Sequence, residues 1–167
     1  IMTAPSPALA RELVRMACYA PSVHNTQPWA WRIVDPATIE LYADRRRQLA
    51  ATDPEGRDLA ISCGAALQHL AVAARAFGLD VETMLMPHPD ERDLLARIAL
   101  SPGTTTEADV AVLAALENRM TDRRGFSDWE VPRGRLEHIA AAGTAPRVHV
   151  EVLTERADVV RTEELLE

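Results

Sequence analysis

The strongest pattern in this sequence is a helical periodicity over residues 57–77. Apolar side chains recur on one helical face there, and many of the residues between them are alanine. Such a face packs closely against its neighbours, which predicts the central core helix, and Gly78 directly after it predicts a C-terminal cap. The apolar positions of this face are Leu59, Cys63, Leu67, Leu70, Ala74 and Phe77.

Strand and helix patterns surround this helix. Two stretches that alternate in polarity are separated by turn residues, which predicts a β-hairpin over residues 29–43. Further strands are predicted at 81–86, 94–100 and 148–153, and further helices at 8–20, 107–118, 133–142 and 157–167. The last helix has no stop signal behind it, which predicts that the chain has been cut.

Composition predicts one compact domain. The 167 residues are 47% hydrophobic and 26% charged, with a net charge of −7. An acidic balance argues against a nucleic-acid partner. Cys18 and Cys63 form no CxxC pair and fall in apolar stretches, so we expect core residues in a reducing compartment. With no run of 18 apolar residues and no signal-peptide pattern, we expect a soluble, cytoplasmic protein without a membrane partner.

Residues 20–29 form a stiff, polar segment between a helix pattern and a strand pattern. Ser22, Asn25 and Gln27 provide hydrogen-bond donors and acceptors, and Pro21 and Pro28 restrict the backbone. Rigid polar loops on a packed scaffold often line binding sites. The segment therefore predicts a ligand site, and the alternative is a buried connection between a helix and a strand.

Residues 119–126 are the other dense chemical cluster. Arg119, Arg123 and Arg124 stand close to Thr121 in an otherwise acidic chain. Guanidinium groups match phosphate oxygens, and a hydroxyl adds a further donor, which predicts an anion site. The alternative is a solvated helix C-terminus, where arginines favour the helix dipole.

The chain also contains a weak internal repeat. Residues 8–24 align without gaps to residues 133–149, and both segments end in Ala-Pro-x-Val-His. The second copy lacks the amide residues that follow the first. Either the repeat arises by chance in an alanine-rich chain, or it indicates duplication into two related halves, of which only one has the polar loop.

Together, the loop and the arginine cluster resemble the nitroreductase family of FMN-binding oxidoreductases. The family's loop Ala-Pro-Ser-x-x-Asn-x-Gln-Pro-Trp is matched in full by residues 20–29. Its phosphate motif Arg-Arg-Ser-x-Arg-x-Phe is matched in part, with Met120 in place of the second arginine and one extra residue before Phe126. The resemblance implies an α+β fold with a central, mostly antiparallel sheet flanked by helices.

The order of the two motifs resembles the mycobacterial Acg-type branch, in which two nitroreductase-like halves are fused. In ordinary members the phosphate motif comes first and the flavin sites form across a homodimer interface, whereas here the loop comes first. The resemblance implies a fused pseudo-dimer or a homodimer. In this arrangement, residues 1–106 would form the first half of the protein and contain the loop. Residues 107–167 would be the beginning of an incomplete second half.

The resemblance also implies a cofactor site and a reaction. The cofactor contacts are Arg119, Thr121 and Arg123 on the FMN phosphate, and Ser22, Asn25 and Gln27 on the isoalloxazine edge or the ribityl chain. Such enzymes pass reducing equivalents from NAD(P)H through the flavin to a nitroaromatic or quinone-type acceptor. The chemistry belongs to the flavin, so we assign no catalytic residue, and no histidine has metal-ligand spacing.

Two other functions remain open. The protein could bind or store FMN in an occluded site without nitroreductase turnover. It could also be an interaction module that dimerises through its alanine-rich helices. His69, on the long helix, is expected to be packed or capping, Trp29 to anchor the loop in the core, and residues 53–58 to form a solvated loop.

Overall fold

The computed structural model describes residues 4–122, 124–125, 129–144 and 148–164. The chain divides into two compact units, residues 1–122 and residues 123–167. The described part of the first unit contains a sheet, three α-helices and two short 3-10 helices at Val23–Asn25 and Arg45–Arg47. Its elements are α1 (Pro7–Ala17), β1 (Trp29–Asp35), β2 (Thr38–Ala43), α2 (Arg57–Ala76), β3 (Leu79–Leu85), β4 (Leu94–Pro102) and α3 (Glu107–Asn118).

The four strands form one antiparallel sheet in the order β1-β2-β4-β3. Ile39 and Leu41 of β2 lie opposite Ile98 and Ala96 of β4, and all four are buried against the helical layer. Because strand side chains alternate between faces, the residues between them point to the other face. The predicted hairpin and the α+β class with an antiparallel sheet are confirmed.

Helix α2 is the centre of the core. Leu59, Cys63, Ala66, Leu70 and Ala73 recur every three or four residues along it, and all are buried. By length and composition alone, α2 could cross a membrane, but more than half of it is buried inside the first unit. It ends at Ala76 and is followed by Gly78 with φ +75°. The predicted core helix and its glycine cap are confirmed.

Helix α1 ends earlier than predicted. Ser6 caps its N-terminus, with its hydroxyl accepting the N–H of Leu9 at 3.2 Å. The helix stops at Ala17 rather than continuing to Ala20, because the N–H groups of Tyr19 and Ala20 bond to carbonyls three residues back. Such bonds tighten a last turn into 3-10 geometry.

The loop before α2 is not simply solvated. Asp53 is 5% exposed, and its carboxylate accepts the N–H groups of Asp58 at 3.1 Å and Leu59 at 2.9 Å. Both donors are in the first turn of α2, where the N–H groups have no carbonyl acceptor within the helix. Asp53 therefore caps the core helix, and the prediction of a solvated loop is wrong at this residue.

Replacing Asp53 with alanine is expected to lower the free energy of unfolding by about 1 kcal/mol at neutral pH. Burial alone would raise the pKa of Asp53, but the N–H groups of Leu59 and Asp58 outweigh burial and hold the pKa below its ordinary value. The stabilisation is therefore complete above the ordinary aspartate pKa and is lost as pH falls through the lower folded value.

Urea unfolding at neutral pH and at about pH 3 measures this difference. The difference between wild type and variant should shrink on acidification. Asp90→Ala, at an exposed position, is the matched control and should leave stability nearly unchanged. An equal loss in both variants would contradict the capping role.

The second unit contains α4 (Arg133–Gly143) and α5 (Arg156–Glu164). The strand predicted at 148–153 is wrong, since Val148 forms an isolated bridge and residues 149–154 are irregular. A strand needs a partner ladder, and the described residues of this unit include no other strand. Both segments of the internal repeat, residues 8–24 and 133–149, contain a helix. Residues 145–147 lie outside the described part. The end of the predicted helix 157–167 is likewise described only to Glu164.

Candidate functional site

The loop at residues 20–29 has an unusual backbone. His24, Asn25 and Gln27 have φ values of 46°, 55° and 47°, in the left-handed region. Non-glycine residues adopt this region seldom, and they keep it where the surrounding structure enforces it. Such strain is concentrated at functional sites. The loop is therefore held in a shape that its sequence does not prefer locally.

Hydrogen bonds from within the loop and from α2 enforce this shape. The Ser22 hydroxyl accepts the N–H of Gln27 at 2.9 Å, which closes the loop on itself. The N–H of Val23 donates to the Ser62 hydroxyl at 3.2 Å, and Ser62 in turn donates to the carbonyl of Asp58 at 2.7 Å. The first part of the loop is thereby fixed to the first turns of α2.

The end of the loop is fixed to the core. The carbonyl of Pro28 accepts from the Cys63 thiol at 3.2 Å and from the N–H of Asp44 at 2.9 Å. Trp29, 8% exposed, packs in the core as expected. Burial raises the pKa of the Cys63 thiol to about 11, which leaves it protonated as a donor. The expectation that Cys63 is a core residue is confirmed, and Cys18 is half-buried.

The polar side chains of the loop differ in their availability. Ser22 is half-buried and holds the loop together, although its hydroxyl hydrogen can still donate elsewhere. Within the described residues, the side-chain amides of Asn25 and Gln27 make no hydrogen bond. Asn25 is exposed and Gln27 is half-buried. These two amides are free to bind a ligand.

An open cavity of about 310 Å³ lies between the loop and α2. This volume is at the low end of the range of small-molecule sites. Its walls are mostly apolar, and its polar groups come from two serines and one aspartate. The lining residues are Pro21, Ser22, Val23, Asp58, Ile61, Ser62 and Ala65.

Arg119 and Thr121 lie near the start of the loop. Arg119 directly follows α3, and its guanidinium donates to the Thr121 hydroxyl and to the carbonyl of Tyr19, each at 3.3 Å. Tyr19 precedes Ser22 by three positions in the sequence. The structure thus brings the first arginine and the threonine of the predicted phosphate motif to the N-terminal end of the loop. Arg123 lies outside the described residues.

Ser62 on α2, which the sequence did not assign to the site, belongs to it. Ser62 holds the loop, and its only signal in the sequence is a hydroxyl in an otherwise apolar helical stretch. His69 is buried and bonds through Nδ1 to the carbonyl of Ala65, which lines the cavity. The expectation that His69 is packed is confirmed. No group of three metal-ligating side chains occurs within residues 4–122, 124–125, 129–144 and 148–164.

The sequence is similar to two Mycobacterium tuberculosis proteins, both named "Putative NAD(P)H nitroreductase". It is 43% identical to Rv3131 over 137 residues, which make up 82% of this chain and 40% of that protein. It is 37% identical to acg over 157 residues, which make up 92% of this chain and 45% of that protein. The chain is therefore a homologue of proteins named as putative NAD(P)H nitroreductases. It spans less than half the length of these curated relatives.

The Acg-type resemblance that the loop and the arginine cluster indicated is confirmed by these relatives. No model of a protein family matches the chain. Among solved structures, one described as a "putative nitroreductase in complex with fmn" from Desulfovibrio desulfuricans has a TM-score of 0.49 and 20% identity. The superposition covers 78% of this chain and 88% of the Desulfovibrio desulfuricans chain. At this identity, the likeness concerns the backbone alone.

The strain in the nitroreductase-type loop can be tested by replacing His24 with glycine. Glycine adopts φ 46° without the steric cost that histidine bears, so we expect the free energy of unfolding to rise by about 0.5 kcal/mol. Thermal unfolding of the two proteins measures the change. Asn25→Gly is the matched control and should gain less, because asparagine tolerates the left-handed region. A clear loss of stability in His24→Gly would contradict the assignment of strain.

Proposed function

We propose that the protein binds FMN and works as an NAD(P)H oxidoreductase, with nitroaromatic or quinone-type compounds as acceptors. The observation that carries the proposal is the strained loop, which lines an apolar cavity and whose Asn25 and Gln27 amides make no hydrogen bond within the described residues. A bound flavin would supply the redox chemistry, taking electrons from the reduced nicotinamide and passing them to the acceptor. The names of the mycobacterial relatives support the nicotinamide as electron donor.

The described residues fit the chemistry of FMN. The isoalloxazine ring is flat and apolar with donors and acceptors along one edge, and it needs apolar walls and polar groups of both kinds. The cavity has apolar walls. The Asn25 and Gln27 amides, which are on the same loop but do not line the cavity, can both donate and accept. Arg119 and Thr121 provide a cation and a hydroxyl, as a phosphate needs.

Charge orients the ligand along the site. Asp58 lines the cavity, and a carboxylate there disfavours a phosphate. Arg119 favours a phosphate near the end of α3. The ring therefore binds beside the loop, and the phosphate binds at Arg119 with Thr121. The family motif suggests Arg123, which lies outside the described residues, as a further phosphate contact.

The protein's part in the reaction is to bind and orient. Ser22 keeps Gln27 in place through its hydroxyl, and Ser62 keeps the loop on α2, so that the amides do not need to reorganise on binding. No side chain is required to carry a proton in this proposal. Two related halves, divided near residue 106 and joined as a fused pseudo-dimer or a homodimer, would complete the site in the cytoplasm.

The test is an absorbance spectrum of the purified full-length protein after reconstitution with FMN. We expect flavin bands that remain after gel filtration and that bleach when NADPH or NADH is added anaerobically. An absence of bound flavin would overturn the proposal. Bound flavin that dithionite bleaches, but that neither nicotinamide bleaches, would indicate flavin binding or storage without turnover.

A further inference from the structure

Three consecutive arginines form the short 3-10 helix Arg45–Arg47, directly after β2. Asp44 caps this helix, and its carboxylate accepts the backbone N–H of Arg46 at 3.2 Å. A run of three cations stands out in a chain whose net charge is −7. The function proposed above uses Arg119 and makes no use of this run, so its role is unassigned.

The arginine run is fixed against the loop at two points. The backbone N–H of Asp44 donates to the carbonyl of Pro28 at 2.9 Å, near the end of the loop. Nη1 of Arg47 donates to the carbonyl of Thr26 at 3.1 Å. In the sequence, Thr26 lies between the two residues whose side-chain amides are available to a ligand. The Arg47 guanidinium is therefore held beside that part of the loop.

The charges around the run leave a positive surplus. Arg45 is paired one to one with Asp93, with 2.8 Å between Nε and Oδ1. Arg46 and Arg47 share the carboxylate of Asp44, at 2.9 Å and 3.5 Å, so two guanidinium groups face one carboxylate. The Asp44 side chain is 11% exposed, whereas those of Arg46 and Arg47 are 89% and 54% exposed. The surface thus presents the cations rather than the carboxylate.

Both exposed guanidinium groups have N–H donors to spare. Within the described residues, Nη1 of Arg46 and Nη2 of Arg47 make no hydrogen bond. Guanidinium groups that meet at one carboxylate lie close together, and their N–H groups match the oxygens of a phosphate. Exposed ion pairs such as those with Asp44 contribute little free energy, so a phosphate can compete for the same cations. An anion reaches them directly from solvent.

The proposed flavin site accounts for only one phosphate. FMN has a single phosphate, and Arg119 holds it near the start of the loop, whereas Arg47 contacts the loop at Thr26. We propose that Arg46 and Arg47 bind a phosphate of the reduced nicotinamide dinucleotide that donates electrons. This inference rests on the proposed function and assigns a place to its electron donor. The ligand class is a nucleotide with a diphosphate, with or without a 2′-phosphate.

The first test measures nucleotide binding to the full-length, FMN-loaded protein by calorimetric titration. Loading with FMN occupies Arg119, so that added nucleotides report on the arginine run. We expect ADP and adenosine 2′,5′-bisphosphate to bind, more weakly as salt rises, and adenosine to bind far less. The double variant Arg46→Gln/Arg47→Gln should weaken nucleotide binding by about tenfold, because it removes charge-assisted contacts. Arg11→Gln, at an exposed position on α1, is the matched control and should bind like wild type.

The two nucleotides distinguish the phosphates that the run could bind. A loss for both nucleotides in the double variant would assign the diphosphate. A loss for adenosine 2′,5′-bisphosphate alone would assign the 2′-phosphate. Arg46→Gln alone should reproduce part of the loss, although Arg46 makes no hydrogen bond to the loop within the described residues. Equal affinities of wild type and double variant for both nucleotides would overturn the inference.

A second test separates donor binding from support of the loop. Absorbance follows the anaerobic reduction of the bound flavin by NADPH and by reduced nicotinamide riboside, which has no phosphate. With subsaturating NADPH, we expect reduction of the double variant to be about fivefold to tenfold slower, with the riboside rate and FMN affinity unchanged.

Two kinds of failure can be told apart in this second test. An equal loss with both donors, or weaker FMN binding, would mean that the arginines support the loop, and it would overturn the inference while leaving the proposed function intact. If wild type binds no FMN, or if neither donor reduces it, the proposed function fails and the inference fails with it.

Discussion

Replacing Arg119 with alanine is expected to weaken FMN binding by about 1.5–3 kcal/mol, which corresponds to a loss of roughly 10-fold to 150-fold. The guanidinium is exposed at the end of α3 and is held toward the loop by the Tyr19 carbonyl and the Thr121 hydroxyl. The variant loses a charge-assisted contact with the phosphate. Calorimetric titration of the full-length protein with FMN measures the change.

Riboflavin is the matched ligand control for this variant. It lacks the phosphate, so Arg119→Ala should bind it about as well as wild type does. Arg11→Ala, at an exposed position on α1, is the matched protein control and should leave FMN affinity unchanged. Equal losses for FMN and riboflavin would contradict a phosphate contact at Arg119.

Replacing Glu40 with glutamine is expected to lower the free energy of unfolding by about 2 kcal/mol. Glu40 is fully buried in the middle strand pair, and it accepts from Arg32 Nε at 2.6 Å, Arg97 Nη2 at 2.7 Å and the Tyr42 hydroxyl at 3.0 Å. The variant leaves two guanidinium groups without their counter-charge. Their side chains are 59% and 41% exposed, so water compensates part of the loss.

The pH dependence of this effect follows from the same contacts. Burial alone would raise the pKa of Glu40, but the hydrogen bonds from Arg97, Arg32 and Tyr42 lower it below its ordinary value. The stabilisation is present above the ordinary glutamate pKa and is lost as pH falls through the lower folded value. Chemical unfolding at pH 7 and at about pH 3 should therefore give a smaller difference at the lower pH.

Glu91→Gln is the control for Glu40, because Glu91 is exposed and lies near the same cluster. It should change stability by less than about 0.5 kcal/mol. A Glu40→Gln protein as stable as wild type at pH 7 would mean that the cluster contributes nothing net to the fold.

The elements of the first unit were largely predictable because their patterns are local. The alternation of β1 and β2, with a turn between them, fixes a hairpin, and the apolar face of α2 fixes which side is buried. The cap at Asp53 was not predictable from such patterns. Its carboxylate reaches N–H groups five and six residues later, which depends on how the intervening loop folds.

Glu40 shows a second kind of limit. From the sequence, a charged residue between Ile39 and Leu41 is expected to face solvent from a strand. Its burial results from register, because Arg32 and Arg97 lie directly opposite it on the two neighbouring strands. Register between distant strands cannot be read from one sequence, so the ion cluster became visible only in the structure.

The candidate site was predictable in part. The loop motif and the arginine cluster identified the side chains Asn25, Gln27 and Arg119. The left-handed backbone at His24 and the cavity behind the loop depend on contacts with Ser62 and on packing against α2. In the same way, the burial of His69 depends on how its helix packs, which a histidine in an alanine-rich helix does not reveal.

The most direct test of the central claim is a fluorescence titration of the wild-type, full-length protein with FMN and with riboflavin. The proposed site predicts saturable binding of one flavin per chain, with FMN bound about tenfold or more tightly than riboflavin because only FMN has the phosphate. Absence of saturable FMN binding, or equal affinity for the two flavins, would contradict the assignment of the loop and Arg119 to one flavin site.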